Sequence, residues 1–478
     1  MSNDDLCYLS ATGALKLFKA RKLSPRELLA ALIKRAERVN PAINCFADRY
    51  FDEAMEHAKA AEARYMKRGA KLSALDGIPL AVKDAQRVAG KRTTHGSLIF
   101  KDSLDDHSDP MIERLQKAGA IIFARTTTPE FCLSGVTRSR IWGNTVNPWN
   151  AAWGPGGSSG GSGAALAAGL TTLATGTDIG GSIRIPASAC GVVGFKPPHG
   201  RNPDGPPSNF DRFNHCGPMT RSIADAALMQ NITSGPHPLD HDSIRSRVKL
   251  PLTAGSIKGM KIAYSADFGY VEVDADVRRN LLHALDVFKR LGARVEEVDL
   301  GWTQQVDHDA LHWYNMMNFG RQTLWNARDN ASLMTDYALK FAKAAAKNST
   351  LDDVHKPWAR THQMYQTLGP VLAKHDVFIC PTNNAPAVTA DHDPWDETFT
   401  VNGKRADPEY GWVMTHQFNM LHNCPVLAVP SGHAVSGVPT GIQIAGRTWD
   451  DARVFKAALA YEKALGGWYT GKAKRPVI

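Results

Sequence analysis

The chain has 478 residues, 43% hydrophobic and 22% charged, the make-up of a globular protein with a large core. Its net charge of +9 comes from scattered Lys and Arg, without a run of like charges or a basic stripe interleaved with aromatics, so no nucleic-acid partner is expected. No apolar run is long enough to span a membrane, and seven widely spaced cysteines, odd in number and lacking a CxxC pair, argue against a disulfide framework and for a reducing, cytoplasmic setting.

The first residues are acidic and lack the apolar stretch of a signal peptide. Ser10 is placed to cap a short helix through Leu17, and Ser24-Pro25-Arg26-Glu27 reads as an N-cap with Pro at the first helical position. Leu28, Leu29, Leu32 and Ile33 then form an apolar stripe, and Val39-Asn40-Pro41 is expected to stop that helix. Glu53 to Lys67 reads as an Ala-rich helix. The apolar run Ile78–Val82 predicts a buried strand that ends at Lys83-Asp84. Met111 to Gly119 reads as a helix and Ala120–Ala124 as a second buried strand.

The stretch Gly154-Pro-Gly-Gly-Ser-Ser-Gly-Gly-Ser-Gly163 holds six glycines and three serines in ten residues. Such a run lets backbone amides approach a ligand closely, and its serines suit attack on a carbonyl. Ser162 to Gly169 reads as a small-residue helix. Leu173–Asp178 reads as a strand leading into a second glycine loop, Ile179-Gly-Gly-Ser182. Gly200 to Pro207 is a Pro/Gly/Asn-rich loop. Lys261–Tyr264, Asp274–Leu291 and Arg294–Leu300 form a strand-helix-strand unit, and residues 301–370 read as helical with exposed-type aromatics at Trp313, Tyr314, Trp325 and Trp358. Val377–Cys380 and Val426–Val429 are late strands. Alternating strands and helices predict an α/β architecture in one large domain.

Several readings of the first loop compete. Gly157-Ser158-Ser159-Gly160-Gly161 fits G-x-S-x-G, which would make Ser159 an elbow nucleophile served by a later acid and histidine; seventeen histidines single none out. A flexible linker does not fit, because an apolar helix follows at once, and a phosphate loop lacks the Lys-Ser/Thr after its glycines. Histidines show no HExxH spacing, so no metal is expected. The second loop is more specific: successive amides there can converge on one oxygen. Asp178 and Arg184 flank it with opposite charges and read as a structural ion pair.

Taken together, Gly156-Gly-Ser-Ser-Gly-Gly-Ser162 and Gly176-Thr-Asp-Ile-Gly-Gly-Ser-Ile-Arg-Ile-Pro186 resemble the amidase signature family, and Gly77-Ile-Pro-Leu-Ala-Val-Lys-Asp84 is similar to its lysine motif. Further matches cover most of the chain, including Ala124–Phe131, Gly143–Pro148, Cys190–Pro197, Pro381-Thr382 and Gly441–Gly446. The resemblance implies a central mixed β-sheet covered by helices on both faces. It divides the chain into N-terminal helices (1–70), a signature core (71–235), a variable subregion (236–375) and a closing part of the core (376–478). It implies a Ser–cis-Ser–Lys triad with Ser182 as nucleophile, Ser158 as bridging serine after a cis bond from Gly157, and Lys83 as base. The serines lie twenty-four positions apart, the interval the family keeps. It also implies an oxyanion hole from the amides of Ile179, Gly180, Gly181 and Ser182, with no cofactor. Ser159 becomes a bystander that supports the loop.

The residue types suit that chemistry. Burial disfavours the charged form of a lysine, so Lys83 at the end of an apolar strand can take a proton. A hydroxyl both donates and accepts, so Ser158 can relay. Taken alone, Lys83 would be a solvated strand-end lysine; the glycine loops overturn that. Cys132 and Cys190 read as packing residues near the site.

The expected activity is hydrolysis of a small acyl amide, anilide or carbamate, with an ester or urethane chemically open. The alternative is the glutaminase component of a tRNA-dependent amidotransferase; Arg360 lies where that component needs an arginine, but the surrounding pattern does not match. The aromatic-rich stretch Trp313–Trp325 suits a bulky apolar substrate. A non-catalytic binder is disfavoured because all three triad residues are present. A homodimer stays open. The segment after Phe131, the loop Gly200–Phe213 and the helices from about 310 to 370 are expected to shape the pocket.

Overall fold

The computed structural model describes residues 2–316, 318–347, 350–470 and 474–478. Positions 317, 348 and 349 of the expected helical stretch lie outside the described residues. Eleven strands form one sheet: β1 (Phe46–Arg49), β2 (Pro79–Lys83), β3 (Ile121–Thr126), β4 (Leu173–Asp178), β5 (Val193–Lys196), β6 (His215–Thr220), β7 (Lys261–Tyr264), β8 (Arg294–Glu297), β9 (Val377–Pro381), β10 (Val426–His433) and β11 (Pro439–Ala445). Their spatial order is β1-β3-β2-β4-β6-β5-β10-β11-β9-β7-β8. The sheet is mixed: β2 runs parallel to β3 and β4, and β7 parallel to β8 and β9, while the strands between are antiparallel.

Alternate residues on a strand face opposite sides, and here both sides are buried. Ile379, Leu427, Val429 and Ile444 pack with Phe288 and Phe455 on one face. Phe378, Cys380, Val426 and Ala445 pack with Trp302, Leu368 and Phe418 on the other. Helices Ala275–Arg290 and Asp451–Ala464 supply the first covering; Leu351–Lys374 and Gln417–Met420 contribute to the second. The strands consequently read as continuous apolar runs rather than as alternating ones.

Some boundaries differ from the sequence reading. The helix from Pro25 runs past Pro41 to Ile43 and ends at Asn44 in the left-handed region, φ 51°. Beyond Pro41 the Asn40 side chain closes the turn: its Oδ1 accepts from the amides of Cys45 and Phe46. Strand β8 stops at Glu297 because its one partner, β7, ends at Tyr264, the residue opposite Glu297. β5, β6 and β11 carry internal Gly or Pro, which hid them from pattern reading.

Candidate active site

β2 lies between β3 and β4, and every residue of it is buried. The apolar run that drives it inward carries Lys83 with it; the side chain is completely enclosed. Lys83 Nζ hydrogen-bonds Ser158 Oγ and Thr177 Oγ1, each at 2.7 Å. Burial pushes its pKa below the ordinary lysine value, against the opposite pull of Cys132 and Asp178.

Ser158 is also fully buried, and the Gly157–Ser158 peptide is cis. Gly157 lies flat against the chain at Ser134–Gly135: a Cβ there would come within 2.5 Å of the Ser134 carbonyl oxygen. Ser159 stands at the N-cap of helix Gly160–Ala167. Its hydroxyl donates to the Thr177 carbonyl at 3.3 Å, and its amide donates to the Ser182 carbonyl at 3.1 Å. The elbow serine thus joins the two glycine loops and has no histidine partner among the described residues.

Ser182 precedes helix Arg184–Cys190. The loop that carries it is held from behind by Asp178 and Arg184, both fully buried, with two contacts of 2.9 and 3.0 Å. Burial alone would push the Asp178 carboxyl up, but the Arg184 guanidinium outweighs it and holds it well below the usual carboxylate range. Arg184 directs its remaining donors to the Thr415 carbonyl, Gln443 Oε1 and Asn419 Oδ1. The ion pair foreseen from sequence is therefore a buried hub that joins the loop to the C-terminal strands.

The predicted amide donors divide. Gly181 N–H donates to Asp178 Oδ1 at 3.0 Å. The amides of Ile179, Gly180 and Ser182 have no protein acceptor among the described residues. Tyr314 Oη donates to the Ile179 carbonyl at 3.0 Å, and in a trans peptide this turns Gly180 N–H the opposite way. Gly181 adopts φ +121°, and a Cβ there would fall 2.0 Å from Thr415 Oγ1; the position accepts only glycine.

Ser182 lines a narrow chamber of about 30 Å³ with Gly157, Ile179, Gly180 and Tyr314. The chamber shares Cys132, Ile179 and Phe319 with a cavity of about 360 Å³. In the other direction it shares Leu133, Phe341, Glu409 and Tyr410 with a cavity of about 410 Å³. Ser182 therefore sits at a waist between two larger spaces. The segment after Phe131, the loop at Asp204–Ser208 and the helices beyond 310 all supply walls.

Of the aromatic stretch Trp313–Trp325, Tyr314 and Phe319 reach the chamber beside Ser182, whereas the tryptophans do not. Trp313 is buried, stacked on Phe213 with ring centres 4.3 Å apart, and its Nε1 donates to Asp211. Trp325 and Trp358 point to solvent, 67% and 55% exposed. Of the four, Tyr314 alone lines the chamber with Ser182. Arg360 lines none of the three cavities; its Nε pairs with Asp309 at 2.7 Å and its NH1 donates to Gln363.

Two wall segments escaped the sequence reading. One is Gln86 to Asp109, the other Asp407 to Tyr410. Glu409 Oε1 accepts from Gly135 N–H at 2.8 Å, and burial pushes its carboxyl well up. Asp407-Pro408 signals a turn, and nothing local marks the acid after it as lining a chamber with Ser182, 227 residues earlier in the chain. Cys132 lines the chamber, and all seven cysteines are free. Among the described residues no three His, Cys, Asp or Glu side chains are placed to hold a metal ion.

The chain is similar to known proteins along nearly its whole length. Residues 27–455 match the family model described as Amidase. The chain is 34% identical over 477 residues to an acylamidase of Rhodococcus erythropolis, covering 98% of each. It is 30% identical to the A component of a glutamyl-tRNA(Gln) amidotransferase of Geobacter metallireducens, covering 95% of this chain and 96% of that one. Among solved structures it resembles a bacterial aryl acylamidase of the amidase signature enzymes, with TM-score 0.88, 29% identity and 96% of each chain covered. A chain matched along nearly its whole length in sequence and in fold belongs to the amidase signature family, and its enzymatic class is amide-bond hydrolysis.

Proposed function

We propose that the chain hydrolyses a small carboxylic amide through an acyl-enzyme on Ser182, with Ser158 as relay and Lys83 as base. The observation that carries this reading is the 2.7 Å contact between a buried lysine nitrogen and the Ser158 hydroxyl. Burial lowers the lysine's hold on a proton, so a neutral Nζ accepts the Ser158 proton while Ser158 Oγ accepts that of Ser182. The Ser182 oxygen then bonds to the substrate carbonyl carbon. The electron pair displaced onto the carbonyl oxygen is met by the amides of Ile179, Gly180 and Ser182, each worth about 3 kcal/mol in the transition state. Collapse breaks the C–N bond, and the amine leaves with the proton returned through Ser158 from Lys83. Water repeats the sequence and frees the acid. Gly181 N–H, bonded to Asp178, is left out of this oxyanion hole.

The relatives named acylamidase and aryl acylamidase support an anilide or simple acyl amide as the substrate class. Carbamates and esters share the tetrahedral intermediate. Ser182→Ala and Lys83→Ala should each lower kcat on an acyl 4-nitroanilide by about a thousandfold or more; surviving activity in Ser182→Ala would remove the nucleophile assignment.

The amidotransferase relatives support a glutaminase as second reading. Arg360 weighs against it, because it is tied to Asp309 and away from the cavities beside Ser182. A glutaminase assay on the purified chain, read beside its elution volume in gel filtration, separates the two: anilide turnover by the lone chain without glutamine turnover rejects the second.

A further inference from the structure

Three residues lining the cavity of about 360 Å³ beside Ser182 each hold a buried polar side-chain atom that has no partner among the described residues. Buried polar atoms are almost always hydrogen-bonded, and each exception needs a reason. Gln86 Oε1, Thr323 Oγ1 and Asn326 Nδ2 have no partner among the described residues, and the three residues are only 2%, 0% and 8% exposed. All three line this one cavity.

Their placement is not scattered. Phe319, Gln322, Thr323 and Asn326 all line the cavity from helix Asn318–Asn330. That spacing is one face of a helix. The face turned inward is mainly polar, while Trp325 of the same helix faces water with Arg328 over its ring. Gln86 stands across the cavity, three residues beyond Lys83, on the segment that follows β2. The helix thus closes this side of the cavity with donors and acceptors beside the ring of Phe319.

We infer that this cavity is the subsite for a polar, uncharged arm of the substrate, one that offers both a hydrogen-bond donor and an acceptor, such as a carboxamide, ureido or hydroxyl group. Gln86 Oε1 calls for a donor, Asn326 Nδ2 for an acceptor, and the Thr323 hydroxyl serves either. The same walls carry the carboxylates of Asp105, Asp109 and Asp204 against the single guanidinium of Arg87, which disfavours a carboxylate arm. This inference rests on Ser182 being the nucleophile of an amidase, since the cavity reaches Ser182 through the shared residues Cys132, Ile179 and Phe319. A site built to hydrogen-bond a substrate discriminates strongly against the analogue lacking that group, because its own polar atoms are then left unpaired.

The test uses two substrate pairs matched in shape. In the acyl pair, 3-carbamoylpropanoyl 4-nitroanilide is set against 4-methylpentanoyl 4-nitroanilide. In the amine pair, N-(3-carbamoylpropyl)benzamide is set against N-(4-methylpentyl)benzamide. Wild type is expected to favour the carboxamide member of one pair by about tenfold or more in kcat/KM. The double variant Thr323→Val/Asn326→Leu, which keeps side-chain volume, is expected to bring that ratio close to one. A succinyl 4-nitroanilide, the anionic relative of the acyl pair, is expected to be the poorer substrate beside its carboxamide. Preference for the hydrocarbon member in both pairs, no preference in either, or a preference that survives the double variant would each overturn the subsite. Failure of the amidase reading looks different: no substrate is cleaved above the Ser182→Ala background, and the subsite falls with it.

Discussion

In the proposed mechanism, Lys83 is the residue on which the chemistry turns. A lysine usually ends a strand by reaching into solvent; here its nitrogen is enclosed, with Ser158 and Thr177 both at 2.7 Å. Desolvation disfavours the ammonium, so its pKa is lowered. If Lys83 is the base as proposed, the sign of the pH dependence is fixed: the neutral form acts, and activity is lost as pH falls through the lowered value. A kcat/KM profile on an anilide should rise with pH through one ionisation below the ordinary lysine value of about 10.5, then level off. A flat profile across that range would deny Lys83 its role. Ser159, the serine of the short elbow pattern, is bonded to Thr177 and Ser182 instead and holds the loops together. Lys83, Ser158 and Ser182 were singled out in the sequence because each sits in a distinctive local motif. Gln86, Thr323, Asn326 and Glu409 were not, because only tertiary approach gives those residue types a task.

At the scale of the element, the second glycine loop is fixed by packing and by charge. Gly181 presses on Thr415 with no room for a methyl group. Gly181→Ala should cost several kcal/mol, through both the strained φ and the clash, and should abolish turnover in whatever protein remains folded; thermal unfolding together with the anilide assay reads both. Asp178 and Arg184 anchor the same loop in full burial. Removing one partner of such a pair leaves an uncompensated charge, so Asp178→Asn should lose about 3–5 kcal/mol. The pH sign follows from the depressed carboxyl: its contribution is present above the ordinary aspartate value of about 4 and is lost as pH falls toward its lowered one. Urea midpoints across acid pH should show wild type and Asp178→Asn drawing together as the medium is acidified, and a constant gap would contradict the linkage.

Across the whole molecule, one sheet gathers strands from residue 46 to residue 445 and sets β2 beside β4, so that Lys83 at the end of one meets Thr177 of the other just before the loop that carries Ser182. Long apolar strands and capped helices were readable because their signals are local. The sheet order was not, since it depends on which buried faces meet, and β5, β6 and β11 were masked by glycine and proline within them. The place of Trp313 was hidden for a related reason: periodicity shows that a helix has faces, while the neighbouring Phe213 and Asp211 decide that Trp313 turns to the core. The central claim is that a covalent acyl group forms on Ser182. The direct measurement is mass spectrometry of the enzyme quenched during turnover of a slowly deacylated ester, with fragmentation to the residue. The account predicts a mass gain equal to the acyl group on Ser182, absent from Ser182→Ala; an adduct on Ser158 or Ser159, or turnover with no adduct under conditions where deacylation limits the rate, would contradict it.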